Sequence, residues 1–122
     1  MAEIRFAQPQ RINLLGHFLH SLVARNLLDE KGKKTFGRMR GAIGVRASQM
    51  AVTLRFDGNV LEIHTGMDAA LDAWVKGDLD TLLGVALGKS KVLPVLRGRL
   101  RVGGKIWKLL GLLRLLQVGE PS

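Results

Sequence analysis

At 122 residues the chain is one domain by length, enough to bury roughly two-thirds of the surface that its unfolded form would expose. Its 47% hydrophobic content excludes a disordered polar chain, and its net charge of +9 favours anionic partners such as phospholipid head groups or nucleic acid. With no cysteine, disulfides, thiolate catalysis and cysteine-ligated zinc are excluded.

Asn13, His17 and His20 interrupt the apolar run near the N-terminus, and no A-x-A-like site follows before Arg25, so a signal peptide is not expected. The C-terminal apolar stretch is interrupted by three cationic side chains and falls short of the about 20 residues that a membrane span needs. A soluble, cytoplasmic protein is the expectation.

Ile12, Leu15, Phe18, Leu19, Leu22, Val23 and Leu27 recur at helical spacing and predict a helix over 12–28, with Pro9 near its start, where proline is tolerated. From 29 to 40 the chain is polar, basic and broken by Gly32 and Gly37; it reads as a connection anchored by Phe36 and Met39. Ile43, Val45 and Ala47 then alternate with Gly44 and Arg46, and Met50, Val52, Leu54 and Phe56 alternate with Ala51, Thr53 and Arg55. Period two is the pattern of a half-buried antiparallel strand. Asp57-Gly58-Asn59 is a strong turn signal before 60–65, so the two runs around it should form a hairpin.

Leu71, Ala73 and Val75 alternate with Asp72, Trp74 and Lys76 and predict a strand ending at Gly77. Asp78 can cap a helix over 79–87 by accepting from the free amides of its first turn, and Gly88 can close that helix. A short helical turn around Pro94 is expected within 91–96. A last strand over 96–102 carries Leu96, Leu100 and Val102 on one face and Arg97, Arg99 and Arg101 on the other.

The final helix should start near Gly104, which can itself occupy the cap position. In it Ile106, Trp107, Leu109, Leu110, Leu112, Leu113, Leu115 and Leu116 leave only Lys105, Lys108, Gly111 and Arg114 polar or small. An ordinary surface helix buries one stripe of roughly 100° and wets the rest. This one needs an apolar partner on a second side: a lipid, a subunit or a membrane surface.

Charge is blocked along the chain. Lys31, Lys33, Lys34, Arg38, Arg40, Arg46 and Arg55 run without an intervening acid, as do Lys89, Lys91, Arg97, Arg99, Arg101, Lys105, Lys108 and Arg114. Either these are separately solvated faces, or the basic blocks meet in an anion site. Nucleic acid is disfavoured, because only six Phe and Trp and no Tyr are present, and none stands among Arg97, Arg99 and Arg101 to stack a base. An anionic membrane surface needs no stacking platform; the basic strand with Lys105, Lys108 and Arg114 could dock there.

Chemical motifs are few. GVALGKS, 84–90, places three residues between its glycines where a phosphate-binding loop needs four, and it follows a helix where that loop must follow a strand. His17 and His20 stand at i and i+3 on the first helix, but no third metal ligand is in sight. Ser21, Ser48 and Ser90 lack a nucleophile turn. No catalytic residue, metal site or cofactor is expected.

The order of these elements, with RGAIGVRA (40–47), MAVTLRFDGNVLEIHTG (50–66), LDAWVKGDLDTLLGVALG (71–88) and GRLRVGG (98–104), resembles the sterol carrier protein type 2 domain, a small lipid-binding module. The resemblance spans residues 36–116; 1–35 matches only as an N-terminal helix and basic connection. It implies an α+β fold in a single domain, a twisted and mostly antiparallel sheet covered on one face by helices, with an apolar tunnel for a fatty acyl chain, sterol or other lipid. Asp72 resembles the family's aspartate of the third strand, and Lys105 departs from the Asn or Asp common before the last helix. Facing directions then nominate Leu82, Val85 and Ala86, Val92 and Leu96, and Trp107, Leu110 and Leu113 as the lining, with Phe18, Leu22 and Phe36 closing the other end. Leu109, Leu112 and Leu116 would serve the core. The implied function is non-catalytic lipid carriage, and some bacterial relatives are accessory factors in isoprenoid quinone synthesis. An interaction module that pairs through the last helix, with a second copy or another protein, is the alternative.

Overall fold

The alternating runs in the middle of the chain pair as their period requires. The computed structural model describes residues 3–8, 10, 12–68, 70–86 and 100–116. Its strands are β1 (Glu3–Phe6), β2 (Gly41–Ala47), β3 (Met50–Phe56), β4 (Val60–Thr65), β5 (Ala73–Gly77) and β6 (Leu100–Gly104). Its helices are α1 (Leu14–Asn26), α2 (Glu30–Arg38), α3 (Leu79–Ala86) and α4 (Ile106–Leu116). The strands form one sheet in the order β1-β4-β3-β2-β5-β6. Pairing is antiparallel for β2/β3, β3/β4 and β5/β6, and parallel for β1/β4 and β2/β5. This is the expected α+β architecture.

One face of the sheet carries the core. Ile43, Val45, Val52, Leu54, Leu61, Ile63 and Ala73 are buried there with Leu15, Leu19, Leu22 and Val23 of α1, Phe36 of α2, and Leu112 and Leu115 of α4. On the opposite face lie Gly66 to Asp68 and Leu71, from the connection between β4 and β5. Thr53, a buried polar side chain on that face, fastens the connection: its Oγ1 donates to Gly66 O at 2.8 Å and accepts from Asp68 N at 3.0 Å. Gly44 gives it room, since a Cβ there would stand 2.7 Å from Met67 Sδ and Leu71 Cδ1.

Local chemistry sets the element ends. Asp57 Oδ1 accepts from the amides of Asn59 and Val60 at 2.8 and 2.7 Å, closing the β3–β4 hairpin. Asp78 caps α3 as expected, accepting from Thr81 N at 2.8 Å. Asn13 caps α1: its Oδ1 accepts from Gly16 N at 2.9 Å while its Nδ2 donates to Ala51 O at 3.1 Å, tying the helix start to β3.

Three expectations need correcting. Residues 30–38, read as a connection, form the nine-residue helix α2, which buries only Gly32 and Phe36; its one-sidedness is carried by its charged residues and not by an apolar stripe. Gly32 is a close-approach residue and no breaker: a Cβ on it would lie 1.9 Å from Asn26 O. An unexpected strand, β1, pairs in parallel with β4 and is pinned by Phe6, whose ring packs against His17 and His20 at centroid distances of 5.2 and 5.0 Å. Gly104 ends β6, so Lys105 is the residue before α4. The expected close at Gly88, the turn around Pro94 and the first half of the last strand lie outside the described residues.

Replacing Gly32 by Ala should lower unfolding stability by about 1–3 kcal/mol in denaturant titration, because the added methyl must push α2 away from Asn26. Unchanged stability would show that the approach is not tight.

Candidate functional site

The position of α4 is set by a corner built on Asp72. Its N–H donates to Ala42 O and its Oδ2 accepts from Ala42 N, both at 2.8 Å, while its carbonyl accepts from Lys105 N at 2.8 Å. The starts of β2, β5 and α4 therefore meet at one residue. Lys105 Nζ lies 3.9 Å from Asp72 Oδ1, and Lys108 Nζ donates to Arg40 O close by. Gly41 (φ 102) and Gly104 (φ 79) adopt the left-handed backbone beside it, where a Cβ would stand 2.3 Å from Asp72 Oδ2 and from Asp72 O respectively. The Ala42 amide, reinforced by the Lys108 and Lys105 ammonium groups, holds the Asp72 carboxyl below its ordinary range against the opposing effect of burial.

From that corner α4 presents two apolar faces. Leu112 and Leu115 lie in the core with Leu109 packed against it, and Leu115 O accepts from Asn26 Nδ2 at 2.6 Å. On the other side Ile106, Trp107 and Leu110 are 43%, 68% and 53% exposed. Their i, i+1, i+4 spacing makes one strip. Ile106 was not nominated from the sequence, although its place one turn before Leu110 is the signal that would have found it. α3 lies beside α4, with Leu82 half-buried against the core.

The remaining nominated residues fall in different places. Leu22 and Phe36 are buried, Phe36 edge-on to Phe56 at 5.9 Å, while Phe18 is half-buried against the same core. Val92 and Leu96, with the side chains of Val85, Ala86 and Leu113, lie outside the described residues. Of the basic set, Arg97, Arg99 and the Arg114 side chain also lie outside them. Lys105 and Lys108 turn to the Asp72 corner, whereas Arg101 points from the far face of the sheet, so the described members do not form one patch. His17 and His20 both contact Phe6, and His64 Nε2 shares a 2.8 Å hydrogen bond with Glu62 Oε1. Among the described residues no helix is long and apolar enough to cross a membrane.

No family model matches the chain, and no curated protein does. Its fold is similar to a solved structure described as a UbiJ-SCP2 ubiquinone synthesis protein, with a TM-score of 0.70 at 17% identity over 84% of this chain and 93% of that one. It is also similar to sterol carrier protein 2 from Yarrowia lipolytica in its apo form, with a TM-score of 0.62 at 14% identity over 87% of this chain and 91% of that one. A third similarity is to the sec-alkylsulfatase Pisa1 from Pseudomonas sp., with a TM-score of 0.72 at 21% identity over 92% of this chain but only 18% of that one. The chain has the fold of an SCP2-like domain.

Asp72→Ala should cost about 1–3 kcal/mol of unfolding stability, because the Ala42 amide loses a charged acceptor. The folded carboxyl titrates below its ordinary 3.8, so the stability it contributes is present above that value and is lost as pH falls through the folded pKa. Asp72→Asn should flatten that part of the acid unfolding curve. An unaltered curve would show that the carboxylate does not hold the corner.

Proposed function

We propose that the chain is a non-catalytic carrier of a hydrophobic lipid, whose apolar tail lies along the Ile106, Trp107 and Leu110 strip of α4. The observation that supports it is that strip: three large apolar side chains exposed on the helix whose other face is already spent on the core. A tail covering them removes apolar surface from water at about 0.8 kcal/mol per buried methylene. Leu82 on α3, half-buried against the core, and Val85, Ala86, Val92, Leu96 and Leu113 are the further lining candidates. Phe18, Leu22 and Phe36 belong to the core behind α4 and would bound a tail only if it reached between the helix and the sheet. The cargo is a sterol, fatty acyl or isoprenoid tail. The similarity to a structure described as a ubiquinone synthesis protein supports an accessory role in quinone or other lipid metabolism.

Purified protein extracted with organic solvent should release a lipid detectable by mass spectrometry, and added fatty acids should bind with affinity that falls about fifteenfold when two methylenes are removed from the tail. Leu110→Ala should weaken that binding roughly tenfold while leaving unfolding stability nearly unchanged, because Leu110 is exposed in the unliganded fold. No bound or bindable lipid, with a tight dimer in concentration-dependent sedimentation, would instead assign the strip to a second copy of the chain.

A further inference from the structure

The face of the sheet away from the helices is charged unevenly. On its β1, β4 and β3 half the ions are matched: Arg55 pairs with Asp68, and Glu62 lies 3.9 Å from Arg5 and 2.8 Å from His64. On the β2, β5 and β6 half they are not. The strand register sets Arg46 beside Lys76 and Lys76 opposite Arg101, so three exposed cations form one row across adjacent strands. With strands spaced about 4.8 Å apart, the row is about 10 Å long. Among the described residues no carboxylate forms an ion pair with any of the three. Like charges at directly opposed positions destabilise a sheet, so this half of the face is complementary to an anionic partner and costly without one.

The neighbouring position narrows the partner. Trp74 is flanked in register by Gly44 and Gly103, and its indole lies over Gly103, where a Cβ would stand 2.4 Å from the ring. Lys76 Nζ stands 4.9 Å from the ring centroid. The ammonium over the ring and the close approach of Gly103 both compete with a nucleobase for the indole, which among the described residues is the one aromatic side chain beside the row. The backbone amides of the row belong to the sheet ladder, so they do not converge on a single small anion. A flat line of cations beside an amphipathic indole matches a surface of many phosphates at the depth of lipid head groups.

We propose that Arg46, Lys76 and Arg101, with Trp74 beside them, dock the protein on an anionic phospholipid surface. The proposal rests on the lipid-carrier reading only in that a lipid carrier must meet a membrane; the row itself lies on the sheet face opposite α4. It differs from the basic set expected from the sequence by including Arg46 and Lys76, and by leaving Lys105 and Lys108 to the Asp72 corner.

The test is cosedimentation of the whole chain with vesicles of phosphatidylcholine, with and without phosphatidylglycerol. Binding should require phosphatidylglycerol and weaken as salt is raised. Each cation near the surface contributes about fivefold, so Arg46→Gln/Lys76→Gln/Arg101→Gln should lose roughly a hundredfold in vesicle affinity. Lys31→Gln/Lys33→Gln/Lys34→Gln removes the same charge from exposed positions of α2 and should retain most of the binding. Equal losses in the two triple variants, or none in the first, would overturn the proposal, as would preferential binding of an oligonucleotide through the same three cations. Fatty-acid binding by the first variant should stay at the level of the unsubstituted chain, which also shows that it is folded. A chain that binds fatty acid but no vesicle defeats the docking surface alone, and one that docks through the row without binding any lipid tail defeats the carrier reading alone.

Discussion

Everything that makes α4 available hangs on Asp72. One side chain and one peptide unit join the starts of β2 and β5 to the start of α4, through bonds to Ala42 N, Ala42 O and Lys105 N. The corner uses a carboxylate where a neutral residue could have accepted one bond, because two lysines from α4 and its approach converge on the same spot. It also fixes two glycines, since neither Gly41 nor Gly104 can carry a Cβ against Asp72. With the first turn of α4 held there and Leu115 O held by Asn26, the helix cannot roll to bury its second apolar face.

That constraint explains how a helix apolar on two sides persists in a small protein. Leu109, Leu112 and Leu115 satisfy the core, and rotating the helix to cover Trp107 and Leu110 would expose them and break the Lys105 bond. The surplus is therefore a property of geometry as well as of composition. The sheet shows the same division between its faces: one is filled by α1, α2 and α4, and the other carries a connection fastened on Thr53 beside an unmatched row of cations.

Much of this was legible in the sequence where it depended on neighbours in the chain. The alternation of β2 to β5, the Asp57 turn and the Asp78 cap are all local, and each appears where its residues predict it. The two missed elements are those whose stability comes from elsewhere. α2 is held by Phe36 and by its closeness to Asn26, with no apolar stripe to announce it, and β1 is four residues long and exists by pairing with β4. The site divides in the same way. That α4 had apolar surface to spare was plain from its leucines, but its roll, which exposes Ile106 and Trp107 and buries Leu115, follows from contacts with Asp72 and Asn26. The Arg46, Lys76 and Arg101 row was invisible because it is created by register between strands distant in the chain.

The central claim is that a lipid tail lies against the outer face of α4. The chain has two tryptophans, so each indole N–H gives its own proton resonance, one from α4 and one from the far face of the sheet. With a fatty acid carrying a nitroxide on its tail, added without vesicles, the Trp107 indole resonance should broaden while that of Trp74 stays sharp. Equal broadening of both, or broadening of Trp74 alone, would contradict the account.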